Sequence, residues 1–127
     1  MDYFKVNNKE EIINKIKEIL SKYNISFAII YGSFVRRKYF RDIDIVIKGN
    51  IDKYKLEEEL EKLGYIFDIK LWEELNLKYK FFAIKEGIYI IFNEEDFKWE
   101  KYNTVREYLD FQPVIERYYK HYISLIK

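Results

Sequence analysis

Two short apolar runs frame a pair of motifs: Ser26-Phe27-Ala28-Ile29-Ile30-Tyr31 ends on Gly32-Ser33, and Asp42-Ile43-Asp44-Ile45-Val46-Ile47 follows. Both runs are too short for a typical helix and rich in β-branched residues, so they read as strands, with the glycine marking a turn. In the second strand alternate side chains share a face, which sends Asp42 and Asp44 one way and Ile43, Ile45 and Ile47 the other. Two carboxylates that close cannot both ionise easily, and a hard divalent cation, magnesium for preference, resolves the conflict. Gly32-Ser33 supplies the complementary half of a site: close backbone approach, amide N–H groups and a hydroxyl for a phosphate.

The rest of the chain arranges itself around these strands. Asn8 with Glu11 three residues on resembles a capping box, and Ile12, Ile13, Ile16, Ile19 and Leu20 recur at helical spacing, giving a helix over about 9–22. Leu56, Leu60 and Leu63, closed by Gly64, mark a crossover helix over about 54–63 that leads to a strand at 65–71 carrying Asp68. A helix over 73–85, a short strand at 88–92 and helices from about 94 onward, with a break before Pro113, complete the order. The expected fold is α/β or α+β: a small mixed sheet flanked by helices, with C-terminal helices.

With 127 residues, no internal repeat and no linker, one domain over 1–127 is expected, with a core at about 9–92 and a helical part at about 94–127. A formal charge of +1 is far from the basic stripe of a dedicated nucleic-acid binder, so a nucleic-acid partner is not expected. The chain has no cysteine and a single histidine, His121, which leaves carboxylates to hold any metal. Neither a long apolar segment nor a signal-peptide pattern is present, so no membrane association and a cytoplasmic location are expected.

The stretch GSFVRRKYFRDID, from Gly32 to Asp44, resembles the Gly-Ser…Asp-x-Asp signature of the polymerase-beta-like nucleotidyltransferases. The likeness extends through the crossover helix to Asp68 in YIFDIKL, the order found in the small stand-alone members called minimal nucleotidyltransferases, or MNT proteins. Eight residues separate Ser33 from Asp42, fewer than is usual in the antitoxin branch, and Arg37 stands where many members carry glycine.

The resemblance implies that Asp42, Asp44 and Asp68 are catalytic and hold two magnesium ions, and that Gly32 and Ser33 bind the phosphates of a nucleoside triphosphate, here ATP. Arg36, Arg37 and Arg41 are candidates for neutralising phosphate charge, as guanidinium forks do well, although the segment reads equally as a solvated surface. MNT proteins commonly pair with a HEPN-domain toxin, so the family implies an antitoxin that transfers AMP from ATP to a tyrosine of its cognate HEPN toxin. The alternatives are an antitoxin that masks its toxin without catalysis, and a nucleotidyltransferase acting on a small molecule or an RNA end. In the final helix, Tyr118, Tyr119 and Tyr122 with Ile115, Ile123 and Ile126 read either as core or as a partner surface, and His121 reads as structural or exposed.

Overall fold

The computed structural model describes residues 4, 5 and 8–126; within the last helix, the side chains of 112, 114–116 and 118–126 are outside the description. The order is β1 (Phe4–Lys5), α1 (Lys9–Leu20), β2 (Ile25–Tyr31), α2 (Ser33–Arg36), β3 (Tyr39–Phe40), β4 (Asp42–Gly49), α3 (Lys53–Glu61), β5 (Ile66–Leu71), a 3-10 turn (Trp72–Glu74), α4 (Leu77–Glu86), β6 (Ile88–Ile91) and α5 (Glu94–Ile126). Four strands form one sheet in the order β5-β4-β2-β6. β2 runs antiparallel to β4 and β6, whereas β4 and β5 are parallel and joined through α3, which makes the sheet mixed, as expected.

Local chemistry explains the element boundaries. The Asn8 side chain accepts from Glu11 N at 3.3 Å and donates to the Glu11 carboxylate at 2.7 Å, a reciprocal cap that starts α1. That helix ends at Leu20, two residues earlier than the expected 22, because Ser21 turns its hydroxyl back onto the Glu18 carbonyl. Asp52 accepts from the amides of Tyr54 and Lys55 and so begins α3 one residue ahead of expectation.

Two expectations are corrected, and one short strand is added to the expected order. The helix expected over 73–85 is two elements, the 3-10 turn at 72–74 and α4, because Asn76 accepts from Tyr79 N at 3.1 Å and caps a new start. The break expected before Pro113 is absent: α5 runs through it from Glu94 to Ile126. Proline removes one donor from a ladder of many, and the turns on either side carry the helix past it. The Tyr118, Tyr119, Tyr122 and His121 positions fall in α5, but their side chains lie outside the described residues, as do those of Ile115, Ile123 and Ile126. Finally, the segment between α2 and β4 contains β3, which pairs antiparallel with β1 in register Phe4 to Phe40. Strands of two residues are too short to leave a periodic pattern in sequence.

Both faces of the sheet are covered. On one, Ile12, Ile16 and Leu20 of α1 and Leu56 and Leu60 of α3 pack on Ile43, Ile45 and Ile47. On the other, Trp72, Leu75, Ala83, Ile84 and Phe97 pack on Phe27, Ile29 and Val46. Burying each large aliphatic side chain is worth about 1.5–3 kcal/mol, so these two layers dominate the stability of the fold. Phe27 is the hinge of the second layer, edge-on to Trp72 at 5.3 Å and to Phe97 at 5.2 Å.

Candidate active site

Alternation along β4 assigns the two aspartates to a layer. Ile43, Ile45 and Ile47 belong to the α1/α3 side, so Asp42 and Asp44 share the α4/α5 side with Val46. Across the sheet Asp44 is in register with Tyr31 of β2 on one side and Asp68 of β5 on the other. Directly opposed residues of neighbouring strands point to the same face, so Tyr31, Asp44 and Asp68 form a row across three strands, with Asp42 one step along. The register thus places the three sequence-expected aspartates on one face of the sheet, Asp44 opposite Asp68 and Asp42 two residues along β4.

The row is electrostatically loaded. Burial, then the charges of Asp68 and Asp42, push the Asp44 carboxyl up to about 6, against an opposing pull from Lys70. Burial, then the charges of Asp44 and Asp68, hold the Tyr31 phenol well above its ordinary range. One oxygen of Asp42, Oδ1, is buried and accepts no hydrogen bond; Arg41 Nε stands 3.7 Å from it, beyond bonding distance. An orphaned carboxylate oxygen beside a carboxyl that resists ionisation is what a site built for a hard cation looks like before the cation is counted, and the all-oxygen donor set suits magnesium. Among the described residues, no three carboxylate or histidine side chains stand together as a ready-made ion cage. The chemistry of the donors, oxygen only, fits the ion.

Gly32 is fixed beside this row by its backbone. Its φ of 81° and ψ of −152° lie in a region that only glycine enters readily. The amides of Val35, Arg36 and Arg37 bond back to the carbonyls of Gly32 and Ser33, closing α2 as one tight turn. The first amides of such a turn have no partner within it, so those of Ser33 and Phe34 are the donors it can offer.

Between this turn and α4 lies a cleft of about 320 Å³ lined by Tyr31, Gly32, Arg36, Asp44, Tyr79, Phe82 and Glu86. Of the residues expected from the sequence, Gly32, Arg36 and Asp44 line it; Asp42, Asp68, Ser33, Arg37 and Arg41 do not. Arg36 reaches Glu86 across the rim at 3.8 Å, Arg41 pairs with Asp42, and Arg37 is exposed at the end of α2. Tyr79, Phe82 and Glu86 were not singled out as site residues by sequence reasoning, although their i, i+3, i+7 spacing places them on one face of α4.

The family model described as "Polymerase beta, Nucleotidyltransferase" matches residues 14–96, which hold the whole row, the glycine turn and the cleft. The chain belongs to this nucleotidyltransferase family. A Methanocaldococcus jannaschii protein, named provisionally as a protein adenylyltransferase, is 41% identical over 69 residues, covering 53% of this chain and 55% of that relative. The match therefore spans about half the length of the curated relative. Among solved structures, an MNT antitoxin in complex with a tri-AMPylated Shewanella oneidensis HEPN toxin superposes with a TM-score of 0.69 at 16% identity, covering 91% of this chain and 99% of that one. A toxin–antitoxin structure with AMP-PNP gives a TM-score of 0.69 at 18% identity, covering 87% and 97%. At that identity the likeness establishes a common fold: the nucleotidyltransferase is of the MNT architecture.

Proposed function

We infer that this nucleotidyltransferase is a magnesium-dependent protein adenylyltransferase, an antitoxin that transfers AMP from ATP to a tyrosine of a cognate HEPN toxin. The observation that carries the reading is the row of Asp44 and Asp68 with Asp42 beside it, next to a glycine turn, in a chain whose relatives are described as an adenylyltransferase and as antitoxins of HEPN toxins.

In this reading the first amides of the turn at Gly32 and Ser33 receive the β- and γ-phosphates, and Arg36 at the cleft adds charge. Asp42 and Asp44 would hold the magnesium ions, with Asp68 completing the second site. When bound, the ions supply charge neutralisation along the triphosphate and acidify the acceptor hydroxyl. The tyrosine oxygen attacks the α-phosphorus, the bond to the β-phosphate oxygen breaks, and pyrophosphate leaves in line. The acceptor's proton passes to the carboxylate of Asp68, the exposed member of the row. Asp68 lies exposed on an edge strand, which leaves a protein acceptor a path to the α-phosphate. The outward face of α5 adds Trp99, Tyr102 and Leu109, each more than half exposed, as apolar surface for a protein partner. Among the described residues no helix is long and apolar enough to cross a membrane.

The test is incubation with α-labelled ATP, magnesium and a HEPN-domain protein encoded beside this chain's gene, if one is found there, with a double variant carrying Asp42→Ala and Asp44→Ala run alongside. Label on the toxin that the double variant cannot transfer supports the reading. Toxin neutralised equally by both proteins, without label, would replace it with the masking antitoxin.

A further inference from the structure

Two tyrosines line the cleft beside Asp44, and they are placed differently. Tyr31 belongs to β2, an inner strand of the sheet, and register with Asp44 fixes its position. Tyr79 belongs to the first turn of α4, across the cleft from the glycine turn, and is 52% exposed. Among the described residues its side chain makes neither a hydrogen bond nor a ring contact. Tyr54 and Tyr102 are more exposed, at 78% and 59%, but neither lines the cleft.

The helix that carries Tyr79 is held in place. Ala83 and Ile84 are buried against the sheet, Phe81 stacks on Tyr108 of α5 at 3.9 Å and 7°, and Glu86 meets Arg36 across the rim at 3.8 Å. Tyr79 therefore reaches the cleft from a fixed base. An in-line displacement at phosphorus needs its nucleophile opposite the leaving group. With the β- and γ-phosphates on the turn at Gly32 and Ser33, pyrophosphate leaves toward that turn, and the open side of the α-phosphorus faces away from it, toward α4. The cleft holds about 320 Å³, the lower end of the roughly 300–1,000 Å³ usual for small-molecule sites, so a nucleotide seated there shares one small space with the Tyr79 phenol.

We propose that Tyr79 is a site of self-adenylylation, a tyrosine of the chain's own that accepts AMP from ATP bound in the same cleft. The inference rests on the adenylyltransferase reading above and adds an acceptor within the chain itself. The Tyr79 Oη bonds to the α-phosphorus, the bond from that phosphorus to the oxygen bridging to the β-phosphate breaks, and pyrophosphate leaves with the electron pair. The phenolic proton passes to solvent, which reaches the exposed side chain directly. An acceptor tethered beside the reacting phosphorus needs no encounter, so the step is unimolecular once ATP is bound. The AMP carried on Tyr79 then fills the cleft and keeps out the next ATP. Modification stops at one AMP per chain and withdraws that chain from transfer to other acceptors.

The experiment is incubation of the whole chain alone with ATP and magnesium, followed by intact-mass and peptide-mapping mass spectrometry. It compares the wild type, Tyr79→Phe and the Asp42→Ala, Asp44→Ala protein, with circular dichroism to check folding and calorimetric binding of α,β-methylene ATP to the wild type in parallel. The wild type is expected to gain the mass of one AMP, mapped to Tyr79, at a rate per chain that a roughly tenfold dilution leaves unchanged at saturating ATP. Tyr79→Phe keeps the ring and removes the attacking oxygen, so it should lose at least about 100-fold in modification, as should the double variant. AMP mapped to another residue, modification that persists in Tyr79→Phe, a rate that falls with dilution, or an unmodified wild type that binds the analogue each overturns the proposal and leaves the transferase reading standing. Modification that the double variant retains, or a wild type that is neither modified nor able to bind the analogue, overturns both.

Discussion

A Cβ added to Gly32 would lie 2.3 Å from Asp44 Oδ2, so the glycine turn and the central carboxylate of the row are in van der Waals contact with nothing between them. Gly32→Ala therefore meets two penalties, a positive-φ backbone worth about 1–3 kcal/mol and a displaced carboxylate. Urea denaturation should show a loss of at least that size, and adenylyl transfer should fall by more than the loss of folded protein accounts for. A stable Gly32→Ala protein with full transfer would mean that the turn does not fix Asp44.

The raised Asp44 carboxyl makes stability depend on pH with a definite sign. Its value in the folded chain, about 6, exceeds the ordinary 3.8, so between those limits the folded state binds more protons than the unfolded state. This contribution is present in full below about pH 4 and is lost as pH rises through about 6. The change is up to about 3 kcal/mol, less what solvent screening removes. Asp44→Asn should lack this slope and be the more stable protein at pH 7–8, while transferring AMP at least about 100-fold more slowly. Parallel pH–stability curves for the two proteins would rule out Asp44 as the source.

Magnesium should offset the same repulsion. A ligand that binds only the folded state stabilises it by RT ln(1 + [L]/Kd), so millimolar magnesium is expected to raise the melting temperature at pH 8 and EDTA to reverse the gain. The Asp42→Ala, Asp44→Ala protein should melt at the same temperature in both. A magnesium shift that persists in that protein would locate the ion elsewhere.

Trp72 anchors the layer under the cleft. It is 1% exposed, edge-on to Phe27, and donates from its indole nitrogen to Glu100 at 2.8 Å. Trp72→Ala should cost about 3–5 kcal/mol in chemical denaturation. By contrast, Lys48→Ala, which breaks the exposed pair with Glu73, should cost less than about 1 kcal/mol.

Much of this was legible in the chain. The alternation of Asp42 and Asp44 with three isoleucines is a local, period-two signal, and the sheet keeps it: the isoleucines are in one layer and the aspartates in the other. Asp68 was readable because a crossover helix of Leu56 and Leu60 returns the chain parallel to β4, and register then sets it opposite Asp44. The cleft was not readable. Its walls, Tyr31 and Tyr79, are far apart in sequence and meet only through packing of α4 on the sheet, which no local pattern encodes. The uninterrupted path of α5 through Pro113 was missed for a related reason: a local penalty of about 3 kcal/mol is decided by the whole helix, not by the residue that incurs it.

The pairing of β1 with β3 reaches further than its two residues suggest. It stitches Phe4–Lys5 to the stretch between the glycine turn and Asp42, so that stretch is tethered at a third point. The arginine-bearing stretch beside Asp42 is thereby held from two directions, by its own turn and by a strand far from it in the chain, so its position depends on a pairing that no residue of the stretch itself encodes.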